Sequence, residues 1–313
     1  MTNFRYKIAL IIPTRNRPAL LAKLLQNLQD QTVQANQVIV VDGSDQPVEA
    51  EIKRFLSPSV SYMHVFPPSL TKQRNEGIKA LDKDITLAGY LDDDIVLEHD
   101  AVEAMLRFWE YCPDDTGGSS FNITNGSRAN WFAKLLGKVF CFDDYRQGVV
   151  LRSGFNTGVW PVLKDTYTDW LCGGATVWHR QVLEEFKYDE WFVGGAYAED
   201  VDFSYTVAQK YRLIVIKDAK VQHLPPPFDP KKYHSLRRAI VQQQYHFVRK
   251  HTRLSLPLFY WATLGQALAD ILAGIWRWDS SGILMASGGI AGLLDVIRGN
   301  IVKIDTQFRK NPD

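Results

Sequence analysis

Residues 7–42 constrain the fold more than any other stretch. KIALIIP is an unbroken apolar run of strand length. A strand with one wet face would alternate polar and apolar residues, so this run suits a parallel strand covered on both sides. Pro18 follows, and apolar residues recur at Leu20, Leu21, Leu24, Leu25 and Leu28, the stripe of a helix that buries one side. Pro18 suits the first turn of that helix, where its missing N–H costs nothing. QVIVVDGSD then reads as a β-branched strand ending in turn-forming residues. Strand, helix and strand in this order make a βαβ unit.

The alternation continues. SYMHVF reads as a short strand, SLTKQRNEGIKALD as a helix from about Ser69, and ITLAGYL as another buried strand. That strand delivers three successive aspartates, Asp92, Asp93 and Asp94, at its carboxyl end. Asp100 with Glu103 three residues on predicts a capping box, followed by a helix burying Val102, Met105, Leu106 and Trp109. In open α/β sheets ligands bind beyond the carboxyl ends of the strands, so Asp42 and Asp92–Asp94 are expected to face one crevice. Residues 116–170, rich in Gly, Asn and aromatics, read as a less regular or antiparallel segment. GGATVWHRQVLEEF and YDEWFVGGAYAEDVDFSYTVAQKY follow, then a predicted strand pair in RLIVIKDAKVQHLPPP. Pro225–Pro227 punctuate the end of this domain. The expected division is a nucleotide-binding α/β domain over residues 1–230 and a helical extension over 231–313.

At net charge +1 no global field draws nucleic acid, and no nucleic-acid partner is expected. Three cysteines without a CxxC pair make no disulfide framework and fit a reduced, cytosolic setting. The sequons at Asn122 and Asn125 then carry no sugar. The apolar run before Pro13 is too short for a signal-peptide core. The tail differs: a basic polar helix, YHSLRRAIVQQQYHFVRKHTR, leads into LSLPLFYWATLGQALADILAGIW and GILMASGGIAGLLDVI. The first apolar stretch nears the length of a bilayer span but contains Gln266 and Asp270. Arg237, Arg238, Arg249, Lys250 and Arg253 precede it, and Arg277 and Arg298 follow its two halves. Residues 235–300 therefore read as a membrane-surface or re-entrant helical hairpin with cationic flanks, on the inner face of the cytoplasmic membrane, with a full span the weaker reading. A helical pair capping the soluble core, or the interface of a homo-oligomer, is the alternative.

Closely spaced carboxylates suit a hard divalent cation such as Mn2+ or Mg2+, which bridges protein to the phosphates of a nucleotide. No P-loop and no GxGxxG follows the first strand, so basic side chains must help; Arg15, Arg17, Lys72 and Arg74 are at hand. An acidic triplet in a solvated turn would have the same spelling. Its company is more telling. IIPTRNRPALL, VVDGSD, TKQRNEGI, LDDDI and AEDVDFSYTV, with VQHLP behind, stand in an order that resembles glycosyltransferase family 2, the inverting GT-A group using nucleotide-diphosphate sugars. The likeness covers residues 7 to about 227. It implies that Pro13, Thr14 and Arg15 border the nucleotide, that Asp42 accepts a hydrogen bond from the base, and that Arg74 approaches the nucleotide or its phosphates. Asp92 and Asp93 would touch ribose and metal, and Asp94 would be a direct ligand. His223 resembles a late histidine that completes the metal site in some members; a strand-end histidine with a satisfied hydrogen bond reads the same way. Where the family more often has two aspartates before Gly-Ser, this chain has one.

Inverting transfer is a single displacement in which the acceptor hydroxyl loses its proton as it attacks, and a carboxylate is the natural base. AED resembles the family's ED motif, which implies Asp200 as that base and Glu199 as an acceptor contact. Asp200 and Asp202 would equally serve the first turn of the helix they open. Gly194 and Gly195 suit a loop closing over donor. Gly173 and Gly174 would let backbone approach the acceptor, with Trp170 stacking on its ring or lying in the core. Cys172 reads as a small buried residue. The expected enzyme is a metal-dependent transferase acting on a glycan, lipid-linked if the tail meets a membrane, in cell-surface polysaccharide assembly. A sugar nucleotidyltransferase and a non-catalytic nucleotide-sugar-binding protein are the rival readings.

Overall fold

In the computed structural model the described residues are 4–126, 131–193 and 197–301, apart from the side chains of Phe132 and Arg277. Gly194 and Gly195, expected to form a closing loop, lie outside them. The chain divides into two compact units. The first comprises residues 1–127, 160–195 and 199–226; the second comprises 128–159, 196–198 and 227–313.

The first unit is built on β1 (Ile8–Thr14), β2 (Gln37–Asp42), β3 (Val60–His64), β4 (Leu87–Leu91), β5 (Ile95–Leu97), β6 (Thr116–Ile123), β7 (Thr166–Thr168), β8 (Ala175–His179) and β9 (Arg212–His223). They form one mixed sheet ordered β3-β2-β1-β4-β8-β6-β9-β5, with β7 on β9. β3, β2, β1 and β4 are parallel, and β8 enters antiparallel to both β4 and β6. Its helices are α1 (Pro18–Gln29), the short α2 (Glu49–Ile52), α3 (Leu70–Lys79), α4 (Ala101–Tyr111), α6 (Arg180–Glu185) and α7 (Glu199–Val207). This is the GT-A, Rossmann-like architecture. β1, β2 and β4 are buried at every position, as their unbroken apolar runs require.

Three local expectations change. The capping box of α4 does not form: Asp100 makes no side-chain cap, and Glu103 instead accepts from Thr32 Oγ1 (2.8 Å) and Arg107 Nη2 (2.5 Å). The partly charged pairing displaces a neutral N–H contact. The segment from residue 116 begins with a fully buried strand, β6, despite its sequence TGGSSFNI. Its glycines are spaces for large neighbours: a Cβ at Gly118 would lie 2.4 Å from the Trp178 ring, and Trp178 is fully buried. Gly118→Ala is expected to cost about 1–3 kcal/mol by overpacking, measured by urea denaturation. The predicted strand pair at 212–223 is one strand, β9, whose pairing with β6 jumps from Ile216 to Lys220 across a bulge. The polar KDA at that point breaks the apolar pattern without breaking the strand.

The second unit contains α5 (Trp131–Phe140), α8 (Tyr233–Lys250), α9 (Leu256–Arg277) and α10 (Ser281–Ile297). α8 buries Ile240, Val241, Tyr245, Phe247 and Val248, so the helix that reads as basic and polar is a core element. α9 and α10 run antiparallel: Gly282 approaches Gly274 and Gly289 approaches Ala267. Gly288 and Gly292 lie against the α8 backbone at His234 and Arg238, a close approach that any side chain would prevent. The carboxylates within the apolar pair face α8. Arg237 Nη2 donates to Asp270 Oδ2 (2.9 Å), and Arg238 Nε donates to Asp295 Oδ2 (2.5 Å), joined by Gln242 Nε2 (2.7 Å). Leu256–Trp276 is long and apolar enough to cross a membrane.

Candidate active site

The carboxyl ends of β1 and β4 open on a crevice of about 340 Å3 lined by Pro13, Thr14, Arg15, Arg17, Ser69, Gln73 and all three aspartates of the triplet. The triplet forms the tight turn between β4 and β5: the Ile95 N–H donates to the Asp92 carbonyl (3.1 Å). Each carboxylate takes a different direction. Asp93 accepts from Thr14 Oγ1 (2.7 Å) and from Arg17 Nη1 (3.0 Å). Asp94 meets His223, because β5 pairs antiparallel with β9 and sets Ile95 opposite His223. His223 Nε2 stands 3.2 Å from Asp94 Oδ1, and Arg17 Nη1 stands 3.6 Å from Asp94 Oδ2. Burial works against the Asp94 charge, but His223 and Arg17 outweigh it and hold this carboxyl below its ordinary range. Asp92 points the other way, with Oδ1 3.7 Å from Arg74 Nη2.

Arg74, expected at the nucleotide, lies beneath the crevice with 1% of its surface exposed. Its Nη1 donates to Glu199 Oε1 at 3.0 Å, and the guanidinium sits 5.0 Å from the Tyr188 ring centre and 5.7 Å from that of Tyr90. Arg74 therefore links the acidic triplet to the start of α7. The two glycines at 173–174 make this possible. A Cβ at Gly173 would lie 2.6 Å from Arg74 Nη1, and one at Gly174 would lie 2.1 Å from Asp92 Oδ2. Their small size makes room for these side chains from below.

Glu199 and Asp200 open α7 just after Ala198, which takes a left-handed φ of 68°. Asp200 Oδ2 accepts from the Gly173 N–H (3.0 Å) and Oδ1 from the Val201 N–H (2.8 Å). Burial raises both carboxyls above their ordinary range. The Asp200 charge raises Glu199 further, and Arg74 opposes the rise in each.

Asp42, expected to meet a base, is fully buried and directed inward. It accepts from the Ser44 N–H (2.8 Å), the Val48 N–H (3.0 Å) and Tyr62 Oη (2.6 Å), and so holds the loop after β2. Arg15 sits on the rim, 3.1 Å from Asp45. Trp170 is buried, 8% exposed, and edge-on to Trp160 at 5.3 Å. Gln73 is a site residue that sequence reading passes over. Its Nε2 donates to the carbonyls of Thr14 (3.0 Å) and Val41 (2.7 Å), tying the ends of β1 and β2 together. Its place beside Arg74 in TKQRNEGI is the only signal.

Among the described residues no three His, Cys, Asp or Glu side chains gather closely enough to hold a metal by themselves. Asp94 Oδ1 is nevertheless buried without a hydrogen-bond partner, and His223 approaches it without hydrogen-bond alignment. An orphaned carboxylate oxygen beside a ring nitrogen fits a divalent cation, which commonly takes one or two protein ligands and completes its shell with water and substrate phosphates.

Residues 9–164 match the description "Glycosyl transferase family 2". The chain belongs to glycosyltransferase family 2, and it is a glycosyltransferase. A comparison with curated protein sequences gave no match. Among solved structures, the Pyrobaculum calidifontis mannosyltransferase PcManGT in complex with GDP-Man and Mn2+ is similar in fold, with a TM-score of 0.58 and 15% identity over 95% of this chain and 90% of that one. S. aureus TarS 1-349 in complex with UDP aligns with a TM-score of 0.48 and 13% identity over 94% of this chain and 92% of that one.

Proposed function

We propose that this chain is a metal-dependent inverting transferase that moves one sugar from a nucleotide-diphosphate donor to a hydroxyl of a lipid-linked glycan, in the assembly of a cell-surface polysaccharide. The observation that carries this reading is the buried Asp94 Oδ1, which makes no hydrogen bond and lies 3.2 Å from His223 Nε2, in a triplet whose Asp92 is joined through Arg74 to the carboxylates at the start of α7. The solved relative PcManGT, with GDP-Man and Mn2+ on the same fold, supports it. The diphosphate lies in the crevice, with Pro13, Thr14 and Arg15 bordering the nucleotide. Asp94 and His223 would hold the cation, with Asp92 beside it in the same crevice. A bound divalent cation supplies charge neutralisation for the departing diphosphate.

Asp200 acts as general base. Its two backbone N–H donors fix the carboxylate plane and leave lone pairs for an incoming O–H. The acceptor oxygen forms its bond to the anomeric carbon as the bond from that carbon to the phosphate oxygen breaks. The hydroxyl proton passes to Asp200, and the nucleoside diphosphate leaves. Glu199 keeps Arg74 in place, and Trp170 with the 173–174 backbone borders the acceptor. Asp42 sets the shape of the loop after β2, which brings backbone rather than a carboxylate to the base.

Donor turnover with and without Mn2+ tests the reading. Release of UDP or GDP from a nucleotide-diphosphate sugar supports it, release of pyrophosphate from a nucleoside triphosphate and a sugar 1-phosphate would make the chain a nucleotidyltransferase, and no turnover in either assay would leave a binding protein. Asp94→Ala should remove the Mn2+-dependent part of donor affinity in calorimetry. An unchanged Mn2+ effect would take Asp94 out of the site.

A further inference from the structure

Among the described residues, the second unit presents an apolar face that none of its own helices covers. On α9, Trp261, Leu264, Leu268 and Ile275 are all exposed, and their spacing keeps them on one side of the helix. On α10, Ile283, Ile290 and Ile297 do the same. α5 extends this face. It stacks Phe140 on Trp261 at 4.7 Å, receives the Trp261 indole N–H at the Val139 carbonyl (3.1 Å), and exposes Trp131, Leu135 and Val139. At the α9–α10 turn, Trp276 and Trp278 are 86% and 97% exposed.

We propose that this three-helix face docks on the headgroup region of an anionic lipid bilayer. The inference deepens the lipid-linked acceptor reading and rests on it for its purpose, though not for its evidence. Two observations choose lipid over a second copy of the chain. Charge is the first: residues 128–159 and 227–313 carry 17 Lys and Arg against 8 Asp and Glu, while the whole chain is nearly neutral at +1. A strongly cationic unit is drawn to anionic headgroups and repelled by its own copy. Side-chain placement is the second. The acidic groups within α9 and α10, Asp270 and Asp295, are turned onto Arg237 and Arg238 of α8. Asp279, in the turn between the helices, is engaged by Ser281. The outer stripes thus carry no carboxylate along either helix, with tryptophans at the tip, the residue type favoured where bilayer meets water.

The test is flotation of the full chain with phosphatidylcholine vesicles, with and without phosphatidylglycerol. Wild type should bind the mixed vesicles at least about tenfold better than phosphatidylcholine alone. Combined Trp131→Ala, Trp276→Ala and Trp278→Ala should weaken binding at least about tenfold. These side chains are mostly exposed, so the fold should survive. Equal binding to both vesicle types, binding untouched by the triple change, or no binding at all would overturn the proposal. So would a dimer in light scattering that the triple change dissolves while vesicles are ignored. Donor turnover in the same preparations separates the two readings. Vesicle binding without turnover sinks the enzymatic reading alone, and turnover without vesicle binding sinks this one alone.

Discussion

Asp200→Asn should leave donor affinity nearly intact while transfer falls about 10²–10⁴-fold, the usual worth of general-base help. The amide keeps the volume of the carboxylate, and its oxygen can still accept from the Gly173 or Val201 N–H that now hold Asp200. What it cannot do is take a proton from the acceptor hydroxyl. The pH profile gives a second reading. Burial raises the Asp200 carboxyl above its ordinary range, and a base works only when deprotonated. Activity should therefore fall as pH drops through that raised value, at a higher pH than an exposed aspartate would give. The variant should lose this acidic limb. Calorimetry with donor and initial rates across pH check both parts. Transfer at the wild-type rate would move the base to another residue.

How much of this site could be read beforehand depended on what kind of fact each residue expressed. β1, α1, β2 and β4 were legible because burial on both faces leaves a continuous apolar run, and because Pro18 marks a first helical turn. The triplet was legible as a cluster at a strand's carboxyl end, since chain order alone puts it there. Direction was not. Asp92, Asp93 and Asp94 are neighbours in sequence, yet they serve Arg74, Thr14 with Arg17, and His223 respectively. That division depends on β5 pairing with β9, more than a hundred residues away. β6 escaped because its glycines are filled by side chains from elsewhere in the fold, a fact about Trp178 and Tyr211 rather than about TGGSSFNI. Arg74 and Asp42 were legible as polar residues in meaningful motifs. Their burial was not, because a partner such as Glu199 or Tyr62 is supplied by the fold.

Arg74→Ala should be the most damaging substitution for stability, costing about 3–5 kcal/mol, because it leaves a buried carboxylate without its counter-charge. Glu199 is 5% exposed and loses its 3.0 Å partner, while Asp92 loses a cation 3.7 Å away. Tyr188 and Tyr90 line the space that Arg74 would vacate. The sign of the pH dependence follows. Burial already raises the Glu199 carboxyl in the native protein, with Arg74 opposing the rise; without Arg74 it climbs further. The deficit from Glu199 should then grow as pH rises through the raised wild-type value and vanish below it, where both native proteins hold the carboxyl protonated and the unfolded state is common to both. Arg74→Lys keeps the charge but loses the planar fork that serves two carboxylates, so it should fall between wild type and alanine. Urea denaturation at acidic and neutral pH measures both. A loss below about 1 kcal/mol, the scale of an exposed ion pair, would show that Arg74 bears no such load. Kinetics add an independent readout, because one side chain holds a group at the triplet and a group at α7. Donor affinity and turnover should fall together in Arg74→Ala, unlike Asp200→Asn, which separates them.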